Sequence, residues 1–243
     1  MKKKNLIVVY GVITNMRGTV TIKEKKTIRS GAVTFLDVLG WKGIWKNNNS
    51  SEKDLFSLIK EIKYFSRGSD TDVKSISDTI VIFTPEGNMN SQEILEHHGY
   101  ICMEAIKKSI KKEIPLRGAT AYGEFSVKEN IFVGPAIDEV AAWHELTSWI
   151  GVIMTPSAFF EIDSNLKLEN WMIYSPPIKG KMKWDTYCVN WPSIWSNKAN
   201  EHEKIRELKN NFKIMGPFLP EYADKYINTL KFFKKHLEKE GNN

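Results

Sequence analysis

The chain has 243 residues, of which 42% are apolar and 26% are charged, and its formal net charge is +6. These values are ordinary for a soluble globular protein and allow a core that folds without disulfides. No run reaches the roughly 18 apolar residues that a membrane-spanning helix needs, so no membrane segment is expected. Cys102 and Cys188 lie far apart in apolar segments. They predict free thiols in a reducing cytoplasm rather than a disulfide framework.

Residues 1–30 contain two β-like runs, NLIVVYGVI and GTVTIKE, separated by turn-forming residues. The first run follows three lysines but lacks a small-residue cleavage site, so we predict a strand rather than a signal peptide. This segment is expected to form a β-rich N-terminal extension.

Residues 31–191 alternate between strand and helix patterns. An almost unbroken apolar strand, AVTFLDVL, opens the segment. Apolar residues at helical spacing predict helices over 54–66, 91–113 and 136–149, and a short one over 156–162. The remaining strands are predicted at DVKSI, TIVIF, LRGATAYGEF, IFVG, GVIMT, WMIYSPPIK and DTYCVNW. The order β-α-β-β-α-β-β-α-β-α-β-β indicates a mixed sheet with helices packed on it.

Residues 192–243 are charged and predicted to be mainly helical. One apolar stripe runs through Tyr222, Tyr226, Leu230, Phe233 and Leu237. Such a stripe is typical of an amphipathic helix that docks on a domain, so we predict a C-terminal helical extension.

Two acidic residues interrupt apolar strands, Asp37 in VTFLDVLG and Asp78 in SISDTIVIF. A carboxylate in such a place is costly unless it is paired or binds a cation. If the strands are neighbours, the two side chains converge and hold two Mg²⁺ or Mn²⁺ ions, with triphosphate oxygens and water completing the metal shells. Alternatively, each acid caps a strand end or pairs with a lysine.

Other segments offer groups for phosphate. After Asp37, Gly40 and Trp41 begin LGWKGIW, a glycine-containing turn whose backbone N–H groups can cradle phosphate oxygens. Lys179 and Lys181 form a basic hairpin tip in IKGKMKW, which suits β- and γ-phosphates or is simply solvated. Arg117 heads the strand LRGATAYGEF, where it reaches phosphate or pairs with a surface acid.

The ordered set FLDVLG, KSISDTIVIF, LRGATAYGEF, VGPAIDEVAA and IKGKMKWDTYCVNW resembles the class III nucleotidyl cyclase catalytic domain. The resemblance implies an α+β fold with a ferredoxin-like, palm-type and mainly antiparallel sheet. It also implies a homodimer with composite active sites. Asp37 and Asp78 match the metal-binding aspartates, and Arg117 matches a basic residue at the start of its strand. Lys74 matches the base-selecting residue, while Lys179 and Lys181 match the triphosphate-binding turn.

Three positions depart from the family pattern. Asp138 and Ala142 stand where the family has an asparagine and the arginine that steadies the transition state, and Ile131 stands where it has a second purine-reading residue. Arg117 or a lysine is therefore expected to take up the charge that the missing arginine normally meets, which makes Arg117 a candidate catalytic residue with Asp37 and Asp78. The chain also looks similar to the stand-alone bacterial cyclases of Pycsar antiphage systems, which make cyclic UMP or cyclic CMP. That likeness implies a separate effector that senses the cyclic nucleotide.

The sequence therefore predicts a cytoplasmic nucleotidyl cyclase that acts on a pyrimidine nucleoside triphosphate, with UTP favoured over CTP. Trp41 and Trp45 either narrow the base pocket toward a single ring or belong to the core. Alternatives are an adenylate or guanylate cyclase, a degenerate cyclase-like domain that only binds nucleotide, and another palm-type nucleotidyltransferase. No nucleic-acid partner is expected, because the aromatic residues follow core-like periodicity and are not interleaved with lysine and arginine.

Overall fold

The computed structural model describes residues 11–15, 18–22, 28–40, 50–163, 165–180, 182–198 and 200–241. Within these ranges the strands are β1 (Gly11–Asn15), β2 (Gly18–Ile22), β3 (Arg29–Val38), β4 (Asp72–Ile76), β5 (Thr79–Pro85), β6 (Leu116–Lys128), β7 (Ile131–Val133), β8 (Gly151–Met154), β9 (Trp171–Tyr174) and β10 (Thr186–Val189). The helices are α1 (Ser51–Phe65), α2 (Ser91–Lys111), α3 (Pro135–Trp143), α4 (Pro156–Phe160), α5 (Glu201–Ile214) and α6 (Pro220–Glu240), with a 3₁₀ turn at Trp191–Ile194.

The main sheet has the strand order β4-β5-β3-β6-β8-β10-β9, with β7 paired to β6. Its pairs are antiparallel except for β6 with β8. The predicted α+β architecture, a mixed and mainly antiparallel sheet with helices packed on it, is confirmed. β1 and β2 form a separate antiparallel hairpin. The predicted run NLIVVYGVI lies largely outside the described residues.

From β3 to β10 the element order is the predicted one, but two boundaries were wrong. The helix predicted over 136–149 ends at Trp143. Beyond it, Thr147 forms a β-bridge with Ile178 and the chain leaves the helical path. The strand predicted over 171–179 ends at Tyr174, because two prolines follow at 176–177 and a proline has no N–H to donate to a ladder.

The centre of the sheet is packed on the long helix α2. Asn90 and Glu93 form a capping box at the start of this helix. Gly99 allows close packing on β9, because a Cβ there would lie 2.4 Å from Trp171 Nε1. Trp171 Nε1 in turn donates to Leu95 O at 2.9 Å. The apolar periodicity of α2 thus fixes one layer of helix under the sheet.

The C-terminal helices α5 and α6 share the hydrophobic core with the strands. Phe232 and Phe233 are fully buried. The Phe232 ring lies 4.6 Å from the Trp149 ring and 4.9 Å from the Tyr174 ring, and Phe233 contacts Trp191. The predicted amphipathic helix is therefore present as α6. The division into 1–30, 31–191 and 192–243 stays a prediction.

Candidate active site

Asp37 and Arg117 lie directly opposite each other on the adjacent strands β3 and β6. The Arg117 guanidinium donates to Asp37 Oδ2 from Nε at 3.0 Å and from Nη2 at 2.9 Å. Each residue is only 8% exposed. The acid that interrupts the apolar strand is thus paired with the arginine that heads the neighbouring strand. The alternatives drawn from the sequence named a lysine as the partner of Asp37 and a surface acid as the partner of Arg117, whereas the partners are each other and both are buried.

Arg117 is held by a second set of bonds. Its Nη1 donates to Glu145 O at 3.0 Å and to Thr147 O at 3.4 Å. Gly118 permits this close approach of β6 to β3, because a Cβ there would lie 2.2 Å from Phe35 O. With four hydrogen bonds to protein oxygens, the guanidinium is fixed in place before any ligand arrives.

Asp78 lies in the tight turn between β4 and β5, next to Thr79, whose backbone pairs with Asp37. Ser77 in the same turn has φ 55°, a left-handed conformation. Asp78 is half-buried, and its charge contributes to the electrostatics of Asp37. The structure therefore brings the two predicted metal-binding aspartates to one end of neighbouring strands.

The pKa of Asp37 is raised above its ordinary value. Burial is the main cause, the hydrogen bonds and charge of Arg117 oppose it, and the nearby charges of Asp78 and Glu145 add to it. A carboxylate whose ionised form is disfavoured in this way gains from a bound cation. Two carboxylates suit Mg²⁺ or Mn²⁺ that shares its shell with phosphate oxygens and water. Among the described residues no group of three or more His, Cys, Asp or Glu side chains is arranged to hold a metal by itself.

Lys74 does not point into this site. Its Nζ donates to Glu129 O at 2.6 Å and lies 3.7 Å from Asp72 Oδ2. Glu129 belongs to the turn after β6, at the opposite end of that strand from Arg117. Within one chain, the predicted base-selecting Lys74 therefore points away from Asp37 and Asp78.

The predicted phosphate-binding turns are described in part. Lys179 is exposed, and its backbone N–H donates to Leu146 O at 2.8 Å, which places it beside the segment that holds Arg117. Gly40 has φ 77°, so the turn after β3 needs its conformational freedom. Lys181, Trp41 and Trp45 lie outside the described residues.

Lys225 on α6 was not among the predicted site residues, yet it lies beside them. This lysine is half-buried. Its pKa is lowered, first by burial and then by the positive charges of Arg117 and Lys179, and is raised in part by Asp224 and Asp37. The sequence signal was weak, because the periodicity of α6 marks only its apolar face.

The three departures from the family pattern lie on the surface of the chain. Asp138 and Ala142 are exposed on α3, one turn apart. Ile131 on β7 is 65% exposed. The exposed position at which the family has its arginine is therefore occupied by alanine, which cannot contact a phosphate through a charged side chain.

No family model matches the sequence, and no curated protein matches it. Several solved structures do match the fold. An adenylyl cyclase, CyaB from P. aeruginosa, is 11% identical over 68% of this chain and 96% of its own, with a TM-score of 0.53. The guanylate cyclase domain of RhGC from Catenaria anguillulae, in complex with GTP, is 16% identical over 67% of this chain and 96% of its own, with a TM-score of 0.51.

A dimeric guanylyl cyclase domain of the RhoGC fusion protein from the aquatic fungus Blastocladiella emersonii gives a TM-score of 0.52. It is 16% identical over 67% of this chain and 96% of its own. The chain has the cyclase fold. This confirms the fold that the resemblance implied. None of the described helices has the length and apolar character needed to cross a membrane.

Proposed function

We propose that this protein is a nucleotidyl cyclase that converts a pyrimidine nucleoside triphosphate to a 3′,5′-cyclic mononucleotide and pyrophosphate. The observation that carries the proposal is the placement of Asp37 and Asp78 at one end of neighbouring strands, with Arg117 holding Asp37, on a cyclase fold. Asp37 and Asp78 would hold Mg²⁺ or Mn²⁺, which supplies positive charge for the attacking oxygen and the leaving pyrophosphate.

The reaction is an intramolecular phosphoryl transfer. The ribose 3′-oxygen loses its proton and forms a bond to the α-phosphorus, while the bond from the α-phosphorus to the bridging oxygen of pyrophosphate breaks. Positioning and neutralisation of charge supply most of the catalysis in such reactions. Lys179, and Lys181 two residues later in the sequence, would bind the triphosphate.

Arg117 acts in this proposal as a positioning residue rather than as the group that meets the phosphate. Its four hydrogen bonds end on Asp37 Oδ2 and on the carbonyls of Glu145 and Thr147. A phosphate oxygen would have to break one of these bonds to take its place. Arg117 therefore orients Asp37, and the charge that develops on the phosphates is met by lysines.

The pyrimidine preference rests on Ile131 and Lys74. Adenine and cytosine each carry an exocyclic amine that needs an acceptor, and isoleucine has none. An unpaired buried amine costs about 1–3 kcal/mol. Lys74 donates hydrogen bonds and accepts none, which suits uracil oxygens. Its ammonium carries three N–H donors, so it can bond to a base while it keeps its bond to Glu129 O. UTP is therefore favoured over CTP, and the product would signal to a separate effector in antiphage defence.

The site is proposed to be composite, assembled from two copies of the chain. The separation of Lys74 from the aspartate pair within one chain supports this arrangement. So does the exposure of apolar side chains on β7, where Ile131 is 65% and Val133 is 38% exposed. A two-fold homodimer would complete both sites at once.

A second candidate is a degenerate domain that binds nucleotide without turning it over. It is favoured by Asp138 and Ala142, which replace the asparagine and the arginine of the family pattern. Retention of both aspartates, with Asp37 held by Arg117, favours the enzyme.

One assay separates these functions. The purified protein is incubated with equimolar ATP, GTP, CTP and UTP and with Mn²⁺, and the products are identified by mass spectrometry. We expect cyclic UMP as the main product and cyclic CMP second. Asp78→Asn serves as the inactive control, because the half-buried Asp78 lies in a turn and its loss leaves the core unchanged. A main product of cyclic AMP or cyclic GMP contradicts the pyrimidine preference, and nucleotide binding without any cyclic product favours the degenerate domain.

A further inference from the structure

Helix α6 is attached to the segment 148–150 by side-chain hydrogen bonds. Ser148 Oγ donates to Asp224 Oδ2, Asn228 Nδ2 donates to Ser148 O at 3.0 Å, and Ile150 N donates to Thr229 Oγ1 at 2.8 Å. Thr229 Oγ1 also donates to Lys225 O at 2.6 Å, one turn earlier on the helix. Lys225 is half-buried and precedes Thr229 by one helical turn, so it lies on the same face of α6 as the Thr229 that docks on this segment.

The same stretch of chain holds the active-site arginine. Arg117 Nη1 bonds to the carbonyls of Glu145 and Thr147, and Lys179 N bonds to the carbonyl of Leu146. One segment, residues 145–150, thus contacts α6 on one side and Arg117 and the Lys179 turn on the other. This arrangement sets Lys225 close enough to interact electrostatically with Arg117, Lys179 and Asp37.

Three cations gather here around a catalytic carboxylate. Arg117 is bonded to Asp37, and Lys225 lies near Arg117 and Lys179, with only partial compensation from Asp224 and Asp37. A half-buried lysine next to two other cations is unfavourable in the free protein, and an anion that binds between them removes the repulsion.

We infer that Lys225 is a substrate-contacting residue: the C-terminal helix α6 delivers it to the triphosphate, where it meets phosphate charge that no arginine at position 142 is present to meet. The inference rests on the proposed function of the Asp37 site and extends it to a residue outside the predicted catalytic segment. It gives the C-terminal helices a part in the chemistry, since α6 both completes the core and carries this cation.

The test uses three variants of the 243-residue protein. Lys225→Met removes the charge and keeps a long unbranched side chain, and Lys225→Arg keeps the charge. Lys231→Met makes the same change at an exposed position of the same helix. Two quantities are measured with Mn²⁺ present: the calorimetric affinity for inorganic tripolyphosphate, and KM and kcat for UTP.

We expect Lys225→Met to weaken tripolyphosphate binding by about tenfold or more, the loss of one charged hydrogen bond. Its kcat/KM for UTP should fall by at least the same factor. Lys225→Arg should retain most of the affinity, and Lys231→Met should behave as the wild type. The melting temperature of Lys225→Met should equal or exceed that of the wild type, since the variant removes a half-buried charge. If Lys225→Met does not fold, Lys225→Gln replaces it.

Failure of this inference is distinguishable from failure of the proposed function. If the wild type makes a cyclic nucleotide while Lys225→Met matches Lys231→Met in both measurements, the role of Lys225 is refuted and the cyclase proposal stands. If the wild type cyclises none of the four nucleotides, the cyclase proposal fails. In that case equal tripolyphosphate affinities of the wild type and Lys225→Met refute the role of Lys225 as well, and a tenfold loss supports it as an anion-binding residue.

Discussion

The buried position of Asp37 disfavours the negative charge that its carboxylate needs in order to bind a metal ion. Burial raises its pKa, and the two bonds from Arg117 only partly offset that effect. An acid whose folded-state pKa lies above its unfolded value contributes stability below the unfolded pKa. That contribution is lost as the pH rises through the folded pKa. Ionisation of Asp37 therefore lowers the stability of the metal-free protein.

This sign leads to a prediction for Asp37→Asn. We expect the metal-free variant to melt at or above the wild-type temperature at neutral pH. The raised pKa means that the fold, with Arg117 charged beside it, accommodates a neutral group at position 37 better than a carboxylate, and asparagine keeps an oxygen acceptor for the buried guanidinium. The difference should shrink as the pH falls through the raised pKa of Asp37. Cyclase activity and Mn²⁺ binding should both be lost. Thermal melts of both proteins across a pH series, with calorimetric Mn²⁺ titrations, test each part.

Asp78→Asn is the matched comparison for that experiment. Asp78 is half-buried in a turn, so its replacement should leave the melting temperature nearly unchanged while activity is lost. A clear drop in the stability of Asp37→Asn at neutral pH would mean that the Arg117 ion pair outweighs the burial of the charge.

The sequence could identify only some of the site residues. Asp37 was recognisable because it interrupts an apolar strand. The same prediction was wrong for Asp78, which lies in the turn between β4 and β5, but the turn still places it at the same end of the sheet as Asp37. Arg117 was recognisable as a cation at the start of a strand. That it bonds to Asp37 depends on the register between β3 and β6, which are far apart in sequence. Lys225 had no local signal, because its significance depends on where α6 docks.

At the level of elements, hydrophobic periodicity predicted the order of strands and helices from β3 to β10. It failed at two ends. The segment after Trp143 has a helical pattern, yet its carbonyls bind Arg117 and Thr147 bridges Ile178. Those partners come from β6 and from the chain after β9, so tertiary contacts decided a boundary that local propensity left open.

The docking of α6 can be tested through Phe232. This side chain is fully buried, with its ring against those of Trp149 and Tyr174. We expect Phe232→Ala to lower the free energy of unfolding by about 3–5 kcal/mol, as truncation of a buried phenylalanine does. Urea unfolding followed by tryptophan fluorescence measures it. Phe160→Ala is the control, because Phe160 is 78% exposed, and its effect should stay within about 0.5 kcal/mol. Equal changes in the free energy of unfolding for the two variants would show that packing of α6 through Phe232 does not stabilise the core.

At the scale of the whole molecule, the chain leaves its proposed functional groups on separate surfaces. Asp37 and Asp78 lie at one end of β3 and β5, while Lys74 bonds to the turn after β6. Apolar side chains of β7 and of the β4 end are exposed, with Ile131 at 65% and Ile76 at 49%. A two-fold partner that covers such a surface would place its Lys74 near the aspartates of this chain, and the reverse would hold by symmetry.

This arrangement predicts complementation between two inactive variants. Asp78→Asn removes a metal ligand, and Lys74→Ala removes the base reader, so each homodimer should be inactive with UTP. In a mixed dimer one site receives both defects and the other receives none. Random exchange of subunits in an equal mixture makes half of the dimers mixed, so activity should return to about a quarter of the wild-type value.

The activity of each variant alone, and of the mixture after unfolding and joint refolding, is measured at equal total protein. If the mixture stays as inactive as its components while sedimentation shows a dimer, the sites are not shared between subunits. If the wild type is fully active as a monomer at high dilution, a single chain completes the site.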